Sequence, residues 1–289
     1  MTLLNEYLRE RFGCKVYKIA INAGLTCPNR DGKLGFSGCI FCSAGGSGEF
    51  AGDASGSITD QIEDGKKLVS SKIKEGKFIA YFQAYTNTYA PVSTLRKVFS
   101  EAVNNEDIVA LSIATRPDCL PDDVLDLLEE LNRIKPVWVE LGLQTIHKKT
   151  ADYIRRGYDL DVYDNAVSEL KKRGIEVITH VILGLPGEDM NMMKETVKYV
   201  CDHGTDGIKL QLLHVLKGTD LEKDYREGKF EVLTEDEYIN ILKECVKVIP
   251  ETTVIHRLTG DGDKKILVAP LWSGDKKHMI NRIRKEVLT

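Results

Sequence analysis

The chain has 289 residues, of which 42% are hydrophobic and 29% charged, with a net charge of −4 and a pI near 5.9. This is an ordinary globular composition with ample apolar material for a core, and it argues against a generally basic nucleic-acid coat. No run of eighteen apolar residues occurs, so no membrane-spanning helix is expected. The opening MTLLNEYLRERFG is amphipathic and charged without a signal peptide's apolar middle, so a cytoplasmic location is the default expectation.

That opening segment is expected to be a helix. Strand-like runs follow at KVYKIAIN (15–22), FIAYFQAY (78–85), DIVALSIA (107–114), VWVELGL (137–143), EVITHVIL (176–183) and GIKLQLLHV (207–215). They are rich in Val, Ile, Tyr and Phe and lack strict alternation, as strands covered on both faces do. Helical patterns lie between them. The segment 57–76 has a Ser/Thr/Asp-rich start and a Gly end. Segments 91–105 and 121–134 begin with Pro, whereas 161–174 and 190–204 stop at Gly. Six β-then-α units in a row imply a parallel sheet with right-handed crossovers, either doubly wound or a barrel of six strands. After about residue 230 the rhythm changes. A helix is expected over 234–250, short strands over 253–260 and 264–270 around the turn GDGD, and a basic helix over 275–287. The expected division is a barrel over 1–230 and an extension packed on it over 231–289.

Seven cysteines occur, and Cys14, Cys119, Cys201 and Cys245 are isolated; the count suggests no disulfide framework. The other three form the constellation CPNRDGKLGFSGCIFC, spaced C-x11-C-x2-C at Cys27, Cys39 and Cys42. Structural zinc needs four ligands, so zinc here would require a distant fourth such as His180 or His214. A four-iron cubane held by three thiolates leaves one iron open. That is a defect in an electron carrier but useful in an enzyme, because the open iron can bind a small molecule. The triad follows the first predicted strand, where α/β folds build active sites, and Gly32, Gly35 and Gly38 let its loop wrap a cluster.

With AGLTCPNRDGKLGFSGCIFC, SGEFAGD, YFQAYTNTYAP (81–91), ATRPDCLP (114–121), ELGLQT (140–145), RRGYD (155–159), HVILGLPGE (180–188) and HRLTGDGDKKILVAPLWS (256–273), the chain resembles the radical S-adenosylmethionine (SAM) enzymes. Within them it is similar to the YhcC/YtqA-type (MnmL-like) proteins related to the elongator catalytic subunit. Most radical SAM enzymes carry C-x3-C-x2-C, and the long first gap is a feature of this branch. The resemblance implies an α/β fold, a partial (β/α)6 TIM-type barrel. It implies a [4Fe-4S] cluster on Cys27, Cys39 and Cys42, and SAM cleaved on it to a 5′-deoxyadenosyl radical. An electron donor such as flavodoxin or ferredoxin is implied as partner.

The resemblance further assigns Phe41 to the SAM adenine, Gln83 to the methionine end, and Gln144 and Arg156, twelve residues apart, to SAM as in coproporphyrinogen-oxidase-type relatives. His180 falls where those enzymes place a ribose-binding Asp. Gly184 begins an adenine-binding-type turn, and Arg116 is a further SAM contact or a helix start. Strand-end residues left over, Tyr85, Asn87, Tyr89, His214 and Lys217, together with Arg257 and Trp272, are the candidates for substrate. The elongator branch acts on the wobble uridine of tRNA, and the MnmL-like proteins are associated with the same nucleotide. The implied reaction takes its C5 side chain from carboxymethylaminomethyl to aminomethyl, with the basic helix 276–285 available for phosphates. The chain carries no acetyltransferase-like segment, so the full elongator reaction is not expected. The competing classes are a radical SAM enzyme on a small metabolite or peptide, and a non-enzymatic Fe–S RNA-binding or redox protein.

Overall fold

The structure is a computed structural model and describes residues 1–70, 76–260 and 262–288. Six parallel strands form the centre of one sheet: β2 (Val16–Ile21), β3 (Lys77–Phe82), β4 (Ile108–Thr115), β5 (Val137–Gln144), β6 (Glu176–Leu183) and β7 (Gly207–Leu212). Between them run α2 (Ile58–Val69), α3 (Val92–Val103), α4 (Asp122–Ile134), α6 (Leu160–Lys172) and α7 (Met190–Asp202), near their expected places. Residues 71–75 of the expected helix 57–76, and Asp261 of the GDGD turn, lie outside the described residues. Local chemistry sets the helix starts. Ser57 accepts from the Asp60 amide, Asp189 from that of Met192, and Pro91 and Pro121 sit one position before the helices they open.

The sheet is wider than the six strands expected. β9 (Val254–Arg257) joins it beside β7, and β1 (Thr2–Leu3) pairs in parallel with β9, giving eight strands in the order β1-β9-β7-β6-β5-β4-β3-β2. The expected strand 207–215 breaks after Leu212. It resumes as β8 (Val215–Leu216), which pairs antiparallel with β10 (Leu267–Ala269) in a small separate sheet. Two short helices escape the sequence pattern, α5 (Lys148–Tyr153) and α8 (Asp220–Arg226). The remaining helices are α1 (Leu4–Phe12), α9 (Glu235–Val246) and α10 (Lys276–Glu286).

Side-chain contacts show how far the sheet curls. Lys209 Nζ on β7 lies 3.2 Å from Tyr81 Oη on β3. Four strand spacings would separate these strands by roughly 19 Å in a flat sheet. The curled sheet therefore has an inside and an outside, and the period-2 alternation assigns residues to each. Outward residues such as Ile21, Phe82, Ile113, Val139 and Val181 pack under the helices in the main core. Inward residues form layers. At the bottom Val16, Ile79, Ala110, Trp138 and Ile178 make an apolar plug sealed by Leu8 of α1. Above it lies a polar layer, and above that the strand ends open to solvent.

The polar layer centres on Glu140, which is 1% exposed. Its Oε1 accepts from Lys18 Nζ at 2.7 Å and Ser112 Oγ at 2.6 Å. Its Oε2 accepts from Lys209 and contacts His180 Nε2 at 2.6 Å. Despite burial, which alone would raise it, the adjacent Lys18 and Lys209 charges hold this carboxyl well below its ordinary range. Glu140→Gln keeps the shape but strands two ammonium groups, and breaking a buried ion pair typically costs about 3–5 kcal/mol. Urea unfolding of the variant is expected to show a loss of that size.

His180 gives a pH signature. Burial first, and then the Lys209 charge, push its imidazole down from 6.5 to about 4, against the pull of Glu140; Arg257 adds to the downward push. Gln211 Nε2 faces its Nδ1 at 3.2 Å. Folded His180 stays neutral where an unfolded histidine takes up a proton. Its contribution is therefore complete above pH 6.5 and is lost as the pH falls through that value toward 4, by up to about 3 kcal/mol. Urea midpoints measured between pH 7.5 and 4.5 should fall accordingly, and His180→Gln should flatten the decline.

Candidate functional site

The loop after β2 carries the three cysteines, all free thiols and half-buried. Its long first gap is tied down by side chains. Asn29, 5% exposed, donates from Nδ2 to the Arg155 carbonyl at 2.8 Å and to Cys39 Sγ at 3.3 Å. Arg30 donates to the carbonyls of Cys42 at 3.0 Å and Ser43 at 2.5 Å, and its guanidinium lies 5.7 Å from the Tyr85 ring centre. The backbone adds Gly38 N to Asn29 O at 2.8 Å and Cys42 N to Cys39 O at 3.0 Å. Ile40 bonds across to Ile154 and Leu221, anchoring the paired-cysteine turn to α5 and α8. At Gly46, φ is +61°, and a Cβ would fall 2.3 Å from the Tyr85 ring, so no side chain fits.

All three cysteines line one cavity of about 490 Å³ that opens among the strand ends. Among the described residues, no three His, Cys, Asp or Glu side chains converge on a single ion position. A cubane makes a different demand, because each thiolate binds its own iron and the sulfurs stand apart around the cluster. Burial pushes the Cys39 thiol up to about 12, with the neighbouring Cys42 adding to it. Burial likewise raises Cys42, and Arg30 opposes it. Thiols in this state become ligands only where the metal's own charge favours the thiolate.

Among the described residues, four non-glycine positions have positive φ: Ser47 (64°), Tyr85 (59°), Gln144 (71°) and Arg155 (58°). Ser47, Tyr85 and Gln144 line the cavity, and the Arg155 carbonyl holds Asn29. Backbone strain of about 1–3 kcal/mol per residue persists where a functional geometry needs it. Gln144 carries a second mark: its buried Oε1 has no hydrogen-bond partner. A buried acceptor without a donor beside a cavity suits a ligand that brings an N–H or O–H.

Phe41, Gln83, Arg116, Gln144, Arg156 and His180 all line this cavity with the cysteines. Several are already engaged. Gln83 Nε2 bonds the Ser47 carbonyl at 2.6 Å, and Arg116 forks onto Asp118 at 2.9 and 2.8 Å. Arg156 donates to the carbonyls of Thr145 at 2.6 Å and Tyr158 at 3.0 Å, latching the end of β5. Tyr85, His214 and Arg257 also line it, with Tyr85 Oη bonded to the Ala44 carbonyl at 2.6 Å.

Gly184, Asn87 and Trp272 are not among the lining residues. Gly184 packs against Leu233 and Leu213. Asn87 is fully buried and donates to the carbonyls of Phe82, Ala84 and Ala114, stitching β3 to β4. Trp272 donates to the Leu233 carbonyl at 3.0 Å and packs on Tyr238, 5.8 Å between ring centres. Tyr89 lies in a separate hollow with Lys33 and Pro117, and Lys217 pairs by its backbone with Ile266.

The site also contains residues absent from the sequence reading. Asn29 and Arg30 sit inside the quoted motif, and two polar residues in a loop that must close around a buried group are a readable signal. Tyr158 is wedged between Arg116 and Arg156, 5.2 and 4.7 Å from their guanidinium carbons, and donates to the Gly142 carbonyl at 2.5 Å. Lys18, Glu140 and Lys209 are each a lone charge in an otherwise apolar strand, which marks an interior polar layer.

The radical SAM superfamily model matches residues 23–200, and the Radical_SAM C-terminal domain model matches 205–288. The uncharacterized protein YtqA of Bacillus subtilis is 49% identical over 284 residues, covering 98% of this chain and 88% of its own. The tRNA uridine(34) acetyltransferase of Methanocaldococcus jannaschii is 29% identical over 163 residues, 55% of this chain and 30% of that protein. Among solved structures, the archaeal Methanocaldococcus infernus Elp3 with residues 1–46 deleted is similar in fold. Its TM-score is 0.67 at 19% identity, and the match covers 93% of this chain but only 65% of that one. With these matches over a curled parallel sheet whose strand ends gather three free cysteines, the chain belongs to the radical SAM superfamily, in the YhcC/YtqA-type group related to Elp3.

Proposed function

We propose that the chain is a radical SAM enzyme that remodels the C5 side chain of tRNA uridine 34, the wobble position, from carboxymethylaminomethyl to aminomethyl. The observation that carries the radical chemistry is the gathering of Cys27, Cys39 and Cys42 on one cavity with the strained, unpartnered Gln144. Cys27, Cys39 and Cys42 would hold a [4Fe-4S] cluster. When bound, the cluster supplies the electron, drawn from a flavodoxin or ferredoxin, that converts SAM to a 5′-deoxyadenosyl radical. The chain's residues bind and orient. Gln144 Oε1 is positioned to accept from the cofactor, and Phe41 offers an apolar face.

The choice of uridine rests on the relative whose name states that nucleotide. Two surface features suit a tRNA. Leu34, Phe36 and Phe50 of the cysteine loop are 50%, 79% and 56% exposed, apolar side chains on which a base can stack. Lys277 and Arg284 are exposed along α10, a basic face suited to phosphates, whereas Arg282 is committed to Glu235, Asp236 and Glu286.

Cys42→Ala is expected to lose the iron content and visible absorbance of the reconstituted protein together with SAM cleavage. Gln144→Ala is expected to keep the absorbance and weaken SAM about tenfold, the worth of one hydrogen bond; calorimetry reads the difference, and full iron loading with cleavage in Cys42→Ala would refute the ligand assignment.

The substrate is tested by anaerobic reconstitution, reduction, and assay of 5′-deoxyadenosine with and without bulk tRNA from a strain lacking the gene. Stimulation by tRNA with a mass loss at uridine 34 is the expected result. Cleavage indifferent to tRNA would move the substrate to a small metabolite or peptide.

A further inference from the structure

Of the charged layer only His180 is among the residues assigned to SAM; Lys18, Glu140 and Lys209 are used neither by that assignment nor by the cysteines. On β5, Glu140 precedes Gln144 by four residues, so the layer lies roughly 13 Å deeper along the strand. Yet Lys18, Glu140 and Lys209 line the same cavity as the cysteines. They form its floor.

Among the described residues, the charges on this floor do not balance. Two ammonium groups with side chains 18% and 5% exposed face one carboxylate. Glu140 makes four contacts, two at each oxygen, and has no acceptor site left. Each ammonium has three donors and uses two. Lys18 bonds Glu140 and Ser112 at 2.7 and 3.3 Å, and Lys209 bonds Glu140 and, at 3.2 Å, Tyr81 Oη. Burial first, and then the Lys18 and Arg257 charges, push the Lys209 ammonium down to about 7 against the pull of Glu140, so a carboxylate arriving beside it would favour its charged form. His256 lines the same floor, and its buried Nδ1 has no partner. The other lining carboxylates are engaged locally, Glu49 by Ser43 and Asp263 by the Lys265 amide.

An uncompensated buried cation is costly, and stability alone would be served as well by apolar residues. We propose that this floor is an anion subsite in which Lys209 and Lys18 receive a carboxylate of the substrate. The proposal rests on the uridine reading only for the source of that carboxylate, the carboxymethyl end of the side chain. The layer would then separate substrate from product by charge. The substrate brings a carboxylate to two ammonium groups. The product has lost it and presents an amine cation, which the same groups repel.

The test is calorimetry on the reconstituted, SAM-loaded full chain at pH 7 with two matched pairs of probes. One pair is the nucleosides 5-carboxymethylaminomethyluridine and 5-aminomethyluridine. The other is sarcosine and its carboxamide, which keeps the amine but lacks the carboxylate. In at least one pair the carboxylate is expected to bind about tenfold or more tightly, as a charge-assisted bond predicts. Lys209→Met and Lys18→Met should each bring the ratio toward one, and Lys18→Arg should preserve it.

Ratios near one in the unaltered protein for both pairs would overturn the subsite, and that comparison needs no variant to fold. So would a ratio unchanged in both folded Met variants. A lysine-dependent preference for sarcosine without tRNA modification would uphold the subsite and refute the uridine reading. Modified tRNA with ratios near one would do the reverse.

Discussion

The carboxylate of Glu140 holds the inside of this protein together. It stands on β5 and takes contacts from β2 through Lys18, β4 through Ser112, β6 through His180 and β7 through Lys209. An ion inside a protein is tolerated only when its lone pairs are filled, so these strands are held at fixed distances from one another. The curl of the sheet follows from that requirement together with the apolar plug beneath. A sheet of this width with a purely apolar interior would fill its inner volume. Here the interior turns polar one layer above Trp138 and stays hollow up to the strand ends.

The mouth is built on a different principle. Its loop is seated by Ile40 and Phe41 in an apolar cluster with Ile154 and Leu221, and its path is shaped by hydrogen bonds to backbone carbonyls, chiefly from Asn29 and Arg30. Such bonds fix a path without requiring a short gap between the first two cysteines. The positive φ values at Ser47, Tyr85 and Gln144 show that the surrounding structure over-determines this path. A hydrogen bond from Asn29 to the Cys39 sulfur belongs to the same scaffold, and donors to sulfur stabilise the electron-rich form of a thiolate.

Much of this was legible in the residues. The β-then-α rhythm placed β2 to β7 and their helices within a few positions, because apolar runs and Pro or Gly punctuation are local signals. The cysteine triad stood out by number and spacing, and the resemblance around it implied its chemistry. What stayed hidden depends on direction or on distance along the chain. Asn87 and Trp272 lie near the ends of strands or in a motif-like segment, but nothing local says which way a side chain turns, and both face backbone carbonyls away from the cavity. At Gly184 there is no side chain to turn, and Leu233 occupies the space beside it. Strict alternation was masked because the lowest inward layer is itself apolar, so Trp138 and Val139 read alike although they face opposite sides. β1 is two residues long, and its partner is more than 250 residues away.

That last pairing bears on how the chain is made. Thr2 and Leu3 bond to Val254 and Ile255, and the helix that follows them seats Leu8 beneath Trp138 and Ile178. Thr2 and Leu3 therefore have no edge to join until residues about 250 positions later have left the ribosome. At translation rates of about 5–20 residues per second, the N-terminal segment waits roughly 12–50 s, while the parallel strands it will cover assemble without their base. Closure of the base is then a late step of high contact order, one that places a clock between synthesis of the cysteine loop and completion of the shell around it.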